Sequence, residues 1–494
     1  MQYKEYLKLM NNLKNILFSG ACNYVIDFCR FFLPKQFIVS YHQINKHSFF
    51  FKVFTILIVI HVGVLSYVRK QNKEFLSTFQ NRRLRRIIKM ANKTVWWRNY
   101  FRVSEVNSNE IKKVSDLSVI PPVKRTFLTN EAQRNLLTRD FYEKEDQINI
   151  TSGSTTGTPF SIAFEKSVLT LDVTAHYINV LENYGFSFTD NLDQNFLVHF
   201  NLFSGSTRLI TLRGLEQFAI RTVINKNDSL NLEKRIREIN KIIHEVNQCV
   251  FFTHPSELPF FIQKLKEYNL HPPIRWCLVI GQILEPNVRI FAEEYLKCPV
   301  ISVYGLREKM LVGSACMEHR DLFHPHSERA IIEIVDENGV PVENDIYGNI
   351  TITGLDNLLM PLIRYQPGDV GRFRRDLTCS CKNQSFLFEI YSRETDVFRF
   401  SNGTKKPAQK FLKTFTLFVT QIRRFQVVQE AINKVIVNLE LRDKNDFGQI
   451  VQKVEQRIRK DGYLPNDIEL EIKIFDWIDE GKGKFKVFVP LKND

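Results

Sequence analysis

Cysteine is scarce in this sequence of 494 residues. The eight present (Cys22, Cys29, Cys249, Cys277, Cys298, Cys316, Cys379, Cys381) are mostly isolated, which excludes a disulfide-built secreted scaffold and fits a reducing cytosol. A cleavable signal pattern is not expected, because the opening MQYKEYLKLMNNLKN is charged and polar. Internal repeats and low-complexity linkers are missing too, so solenoid and tandem-array architectures are excluded. The net charge of +14 points to anionic company, but no zinc-finger, helix-turn-helix or RNA-binding signature accompanies it. Nucleic acid is therefore not an expected partner. Long apolar runs are nearly absent. The exception, VFTILIVIHVGVLSYV at residues 53–68, falls short of the ~20 residues that cross a bilayer upright.

What is present describes a globular protein of ordinary composition, 44% hydrophobic and 25% charged, long enough for at least two domains. Residues 1–75 read as a helical, apolar region. Behind the apolar run come Arg69, Lys70, Lys73, Arg82, Arg83, Arg85, Arg86 and Lys89. The run has two readings: a buried helix, or peripheral contact of residues 49–89 with an anionic membrane surface. The second reading places the protein in the cytoplasm, at the inner face of the cytoplasmic membrane. Residues 76–100 continue as a basic helix, and a turn follows at Pro121 and Pro122.

From residue 148 to about 390, short apolar runs such as CVFFTH and RWCLVIG alternate with amphipathic stretches such as LNLEKRIREINKIIHEV. This predicts an α/β fold with a largely parallel sheet. RAIIEIVDENGVPV and YGNITITGL read as antiparallel strands around Asn-Gly and Tyr-Gly turns. The last hundred residues form a separate α+β unit, in which Val451, Val454 and Ile458 share one helical face.

Several stretches could carry chemistry. Thr151-Ser152-Gly153-Ser154-Thr155-Thr156-Gly157 offers consecutive amides and hydroxyls to a phosphate, although its spacing is not that of a Walker loop and a plain surface turn would look alike. YGLRE sets Glu308 directly after a predicted strand, where α/β sheets present ligands. LIRYQPGDVGRF holds Asp369 in a Gly-Asp turn, able to accept both hydroxyls of a ribose. SRETDVF supplies Arg393 and Asp396 just before the terminal unit. GKGKF then offers Lys482 and Lys484, flanked by glycines. Singly, each could be a solvated acid, a turn aspartate, a surface ion pair or a charged tail.

In that order along one chain, the stretches resemble the adenylate-forming (ANL) superfamily, and within it the phenylacetate–CoA ligase group and its relatives in capsular polysaccharide biosynthesis. IPPVKRTFL, THPSEL at 253–258 and VIGQIL add to the likeness, which runs from about Asn72 to the C-terminus. The resemblance implies a large ATP- and acyl-binding domain (76–395) with mixed sheets flanked by helices, and a small mobile lid (396–494). It implies activation of a carboxylic acid by ATP and Mg²⁺ as an acyl-adenylate, then transfer to CoA or to an amine. It also implies roles. Residues 151–157 would grip the β- and γ-phosphates. Tyr304, with Gly305 beside it, would stack near adenine, and Gly281 would line the same pocket. Glu308 would hold Mg²⁺, Asp369 the ribose, and Arg393 the nucleotide from a hinge at Asp396. Lys484, or failing it Lys482, would stabilise the α-phosphate.

There are departures from the family pattern. The loop is one residue longer than TSGSTG, Ser392 replaces a glycine, and Gln282 stands where many relatives carry Glu. Arg307 and Lys309 flank Glu308, positioned either to weaken Mg²⁺ binding or to help neutralise pyrophosphate. Separately, Cys316, His324, Cys379 and Cys381 make a candidate zinc set, with buried free cysteines as the alternative. The competing functional expectation is a membrane-associated nucleotide-binding scaffold without turnover.

Overall fold

The computed structural model describes residues 63, 67–69, 71–138, 147–151, 160–165, 180–185, 195–201, 206–211, 218–221, 229–244, 249–306, 308–381, 386–443, 447–478 and 485–491. Most of the apolar run at 53–68, residues 152–157 of the Ser/Thr/Gly loop, Arg307, Lys482 and Lys484 lie outside them. The chain divides into two compact units. One takes residues 1–194, 211–217 and 303–390; the other takes 195–210, 218–302 and 391–494.

In the first unit, helix Lys73–Ala91 opens where the Asn72 side chain accepts from the Phe75 amide. It buries Leu84, Ile87 and Ile88, each worth about 1.5–3 kcal/mol on leaving water. The single basic helix expected over 76–100 is in fact two. Thr94 ends the first by donating to the Ala91 carbonyl and caps the second, Val95–Val103, by accepting from Trp97. Two arginines of the basic cluster point inward. Arg69 pairs with Glu328 at 3.3 Å, and Arg83 donates to the Glu328 carbonyl, both buried. Lys73, Arg82, Arg85 and Lys89 are exposed. Among the described residues no helix is long and apolar enough to cross a membrane.

The strands of this unit are mainly antiparallel. Gly348–Gly354 pairs with Ala330–Val335 from Gly348's neighbour Asn349 opposite Val335 to Gly354 opposite Ala330, as the Asn-Gly signal at 338–339 predicts. It also pairs with Tyr365–Gln366 and Asp369–Arg374. Met310–Ala315 lies between Val300–Leu306 and Leu322–Pro325. A separate hairpin, Gln147–Thr151 with Ser161–Glu165, brackets the Ser/Thr/Gly loop.

The second unit holds the parallel part predicted from the alternating pattern. Asn195–Asn201, Cys249–Thr253 and Ile274–Ile280 run parallel, with helix Glu257–Glu267 connecting the last two and helix Pro286–Leu296 following them. Its C-terminal portion is a four-stranded mixed sheet ordered Glu469–Ile474, Lys434–Leu441, Ile422–Ala431, Phe488–Val489, with helix Phe447–Lys460 burying Val454 and Ile458. This is the expected α/β architecture with mixed sheets and a small α+β terminal portion.

Candidate active site

The first unit brings the predicted acids to one place. Strand Val300–Leu306 carries Tyr304 and Gly305 to its end, and the next turn presents Glu308. Asp369 opens its own strand behind Gly368, whose φ of +88° places the turn in the left-handed region that suits glycine. The Tyr304 hydroxyl donates to Asp369 Oδ2 at 2.7 Å, so two residues 65 apart in sequence meet. The Tyr304 ring also packs edge-on against Phe323 and Phe388.

Glu308 is buried, and its Oε1 accepts from Arg125 Nη1 at 2.5 Å. Arg125 lies in IPPVKRTFL, a stretch that adds to the family likeness without implying a role for any one residue. Tyr365 is buried nearby; desolvation, with the Glu308 carboxylate second, pushes its phenol up. Lys309 turns away from Glu308. Its Nζ lies 2.7 Å from both oxygens of Asp356, which also takes Arg329 Nη2 at 2.6 Å. Lys309 is thus engaged with Asp356 in a buried ion pair. The same cluster reaches the hairpin: the Asn357 amide bonds Asp356, while its side chain donates to the Ala163 carbonyl at 2.9 Å. Ala163 sits in the strand that leaves the Ser/Thr/Gly loop.

Gly281, Arg393 and Asp396 belong to the second unit. Gly281 follows strand Ile274–Ile280 with φ +88°. The Asp396 amide donates to the Arg393 carbonyl at 3.0 Å, closing the turn after strand Leu387–Arg393. Gln282 accepts from the Ser256 amide and donates to the Phe485 carbonyl, each at 3.1 Å.

The cysteine and histidine set does come together. Cys316 Sγ lies 3.6 Å from Cys381 Sγ, Cys379 Sγ lies 3.4 Å from His324 Nε2, and all four donor atoms fall within 4.8 Å of one another. Edges of this length suit a tetrahedron with zinc–sulfur bonds of about 2.3 Å and zinc–nitrogen bonds of about 2.0 Å. The contact with Cys381 pulls the Cys316 thiol down and pushes the Cys381 thiol up. His319 donates its amide to Cys316 Sγ, and no ligand atom of His319 or His326 joins the set.

No protein-family model matches the chain. It is 23% identical over 322 residues to a phenylacetate–coenzyme A ligase of Thermus thermophilus, covering 63% of this chain and 68% of that protein. In three dimensions it is similar to 2-hydroxyisobutyryl-CoA ligase in its postadenylation state with R3-HIB-AMP. The TM-score is 0.67 at 11% identity, over 86% of this chain and 91% of that one. The same ligase with 2-HIB-AMP and CoA, in its thioesterification state, gives 0.55 at 13% identity. The chain therefore has the fold of the adenylate-forming CoA ligases.

Proposed function

We propose that this protein is an AMP-forming ligase that activates a carboxylic acid with ATP and passes the acyl group to CoA. The observation that carries the reading is the Tyr304–Asp369 hydrogen bond, with Glu308 four residues beyond Tyr304 in the same unit. An aromatic face, a ribose-binding carboxylate and a buried acid converge at a strand end, where α/β sheets bind nucleotides. In the first step a carboxylate oxygen attacks the α-phosphorus and pyrophosphate leaves. In the second, the thiol sulfur attacks the acyl carbonyl and AMP leaves. Asp369 holds the ribose, residues 151–157 the β- and γ-phosphates, Gly281 and Gly305 the adenine surroundings, and Arg393 the nucleotide near the hinge at Asp396. Lys484, with Lys482 second, stabilises charge on the α-phosphate.

Glu308 is the residue that would hold Mg²⁺, a hard cation that prefers oxygen ligands. Arg125, whose Nη1 donates to Glu308 Oε1 at 2.5 Å, would compete with the ion for that oxygen. When bound, the ion neutralises phosphate charge. Cys316, His324, Cys379 and Cys381 would hold a structural Zn²⁺, which the spacing of their donor atoms supports. An amine as acceptor, a place in cell-surface polysaccharide synthesis and peripheral membrane contact through exposed Lys73, Arg82, Arg85 and Lys89 belong to the same reading.

The test is acid-dependent release of AMP and pyrophosphate from ATP and Mg²⁺. Aryl acetates, fatty acids and amino acids form the panel, with Lys484→Ala and Lys482→Ala alongside. Release with one acid class, lost in one lysine variant, is the expected result. ATP binding without release for any acid would favour the scaffold.

A further inference from the structure

Arg125 reaches Glu308 by way of a strand pairing. Val123–Lys124 runs parallel to Tyr365–Gln366, with Val123 opposite Tyr365 and Lys124 opposite Gln366. The Val123 amide donates to the Arg364 carbonyl at 2.8 Å, and the Arg364 guanidinium donates to the carbonyls of Ile120 and Gly339. Helix Arg125–Thr129 starts where this pairing stops, so Arg125 is the first residue past it. On the other side, the Lys309 amide donates to the Leu306 carbonyl at 3.3 Å and its Nζ holds Asp356, which fixes the turn that carries Glu308.

The two ion pairs at this turn differ in how deeply their cations are buried. The Lys309 and Arg329 side chains are 2% and 3% exposed, against 6% for Asp356. Arg125 is 21% exposed, against 5% for Glu308. Breaking the first set would strand charge of both signs. In the second only the carboxylate is trapped: Arg125 can turn its guanidinium to water, but Glu308 then needs another cation. Tyr365 shows that the same place suits a ligand bearing oxygen. It is 1% exposed, the charges around it are those of Glu308, Arg125 and Asp369, and its hydroxyl has no hydrogen-bond partner among the described residues. Buried phenols ordinarily have one.

We propose that Arg125 is a built-in counter-cation, which holds the Glu308 carboxylate until Mg²⁺ takes it and then gives way. The proposal rests on the role given above to Glu308. It makes the loss of Arg125 a gain for the metal, the reverse of what a residue that merely orients Glu308 would show. The test is Mn²⁺ binding to the full chain without nucleotide, read by electron paramagnetic resonance, with thermal melting alongside. Arg125→Gln should bind Mn²⁺ about tenfold or more tightly than the wild type, because a unit charge close to the ion is removed. It should melt below the wild type without metal and regain most of the difference with Mn²⁺. Arg125→Lys, which keeps the charge, should stay near wild-type affinity, and an equal gain in that variant overturns the proposal. Unchanged or weaker Mn²⁺ binding in Arg125→Gln also overturns it and leaves Arg125 an orienting partner. Should Arg125→Gln fail to fold, the wild type decides. Bound Mn²⁺ should speed modification of Arg125 by phenylglyoxal, located by mass spectrometry, and an unchanged rate overturns the exchange. Glu308→Gln tests the reading beneath. If it binds Mn²⁺ as tightly as the wild type, the metal role of Glu308 falls and this proposal falls with it.

Discussion

Asp356 is the residue on which the buried charge of the first unit balances. Lys309 and Arg329, both almost fully buried, share its carboxylate. Removing one partner of a buried pair leaves an uncompensated charge, at a cost of about 3–5 kcal/mol. Asp356→Asn strands two cations and should lose that much in urea unfolding. Lys309→Met should lose less, because Arg329 still satisfies the carboxylate. Equal stability of Asp356→Asn and wild type would refute this account. The cysteines make a second prediction. Burial pushes Cys249 and Cys277 up, and raises Cys298 to about 12. At pH 8 the Cys298 thiolate fraction is then on the order of 10⁻⁴, and the thiolate is the reactive form. Iodoacetamide should leave these three unlabelled in native protein and mark them after denaturation. Rapid native labelling at any of them would contradict their placement in the core.

Among elements, the antiparallel strands Met310–Ala315 and Leu322–Pro325 show how pairing builds a site that spacing only hints at. Ala315 pairs with Phe323 and Ser314 with His324, which sets Cys316 and His324 at one sheet end, where Cys379 and Cys381 arrive from a turn. Protein grown with zinc should carry about one equivalent of the metal by elemental analysis, and Cys379→Ser should lower it. Chelation should reduce the melting temperature of the wild type and leave that of Cys379→Ser nearly unchanged. Zinc-free protein with wild-type stability would instead favour buried thiols. Helix capping offers a simpler check. Thr94 both ends one helix and starts the next, so Thr94→Ala should cost about 0.5–2 kcal/mol.

For the whole molecule, the basic cluster after the apolar run has a divided fate. Arg69 and Arg83 are committed to Glu328, while helix Lys73–Ala91 fills the core of the first unit. Deleting residues 1–92 should leave a chain that aggregates or unfolds, because Leu84, Ile87 and Ile88 go with it. Melting of that truncation near the wild-type temperature would show that the helix is dispensable. Much of the fold was legible in the sequence, since periodicities of two and near 3.6 are local properties. They predicted Cys249–Thr253, Ile274–Ile280 and Phe447–Lys460 directly. The order of the motifs likewise named Tyr304, Glu308 and Asp369 as candidates, and the fold sets Tyr304 against Asp369. Arg125 and Asp356 were not legible, because their partners lie 183 and 47 residues away and no pattern of spacing records such pairs. The sequence by itself determined the elements and the kinds of residue offered for chemistry. Only the tertiary structure decided that Lys309 serves Asp356, that Arg69 turns inward and that Gln282 bridges Ser256 and Phe485. Whether a charge or an amide can be buried depends on partners that distant segments bring to it.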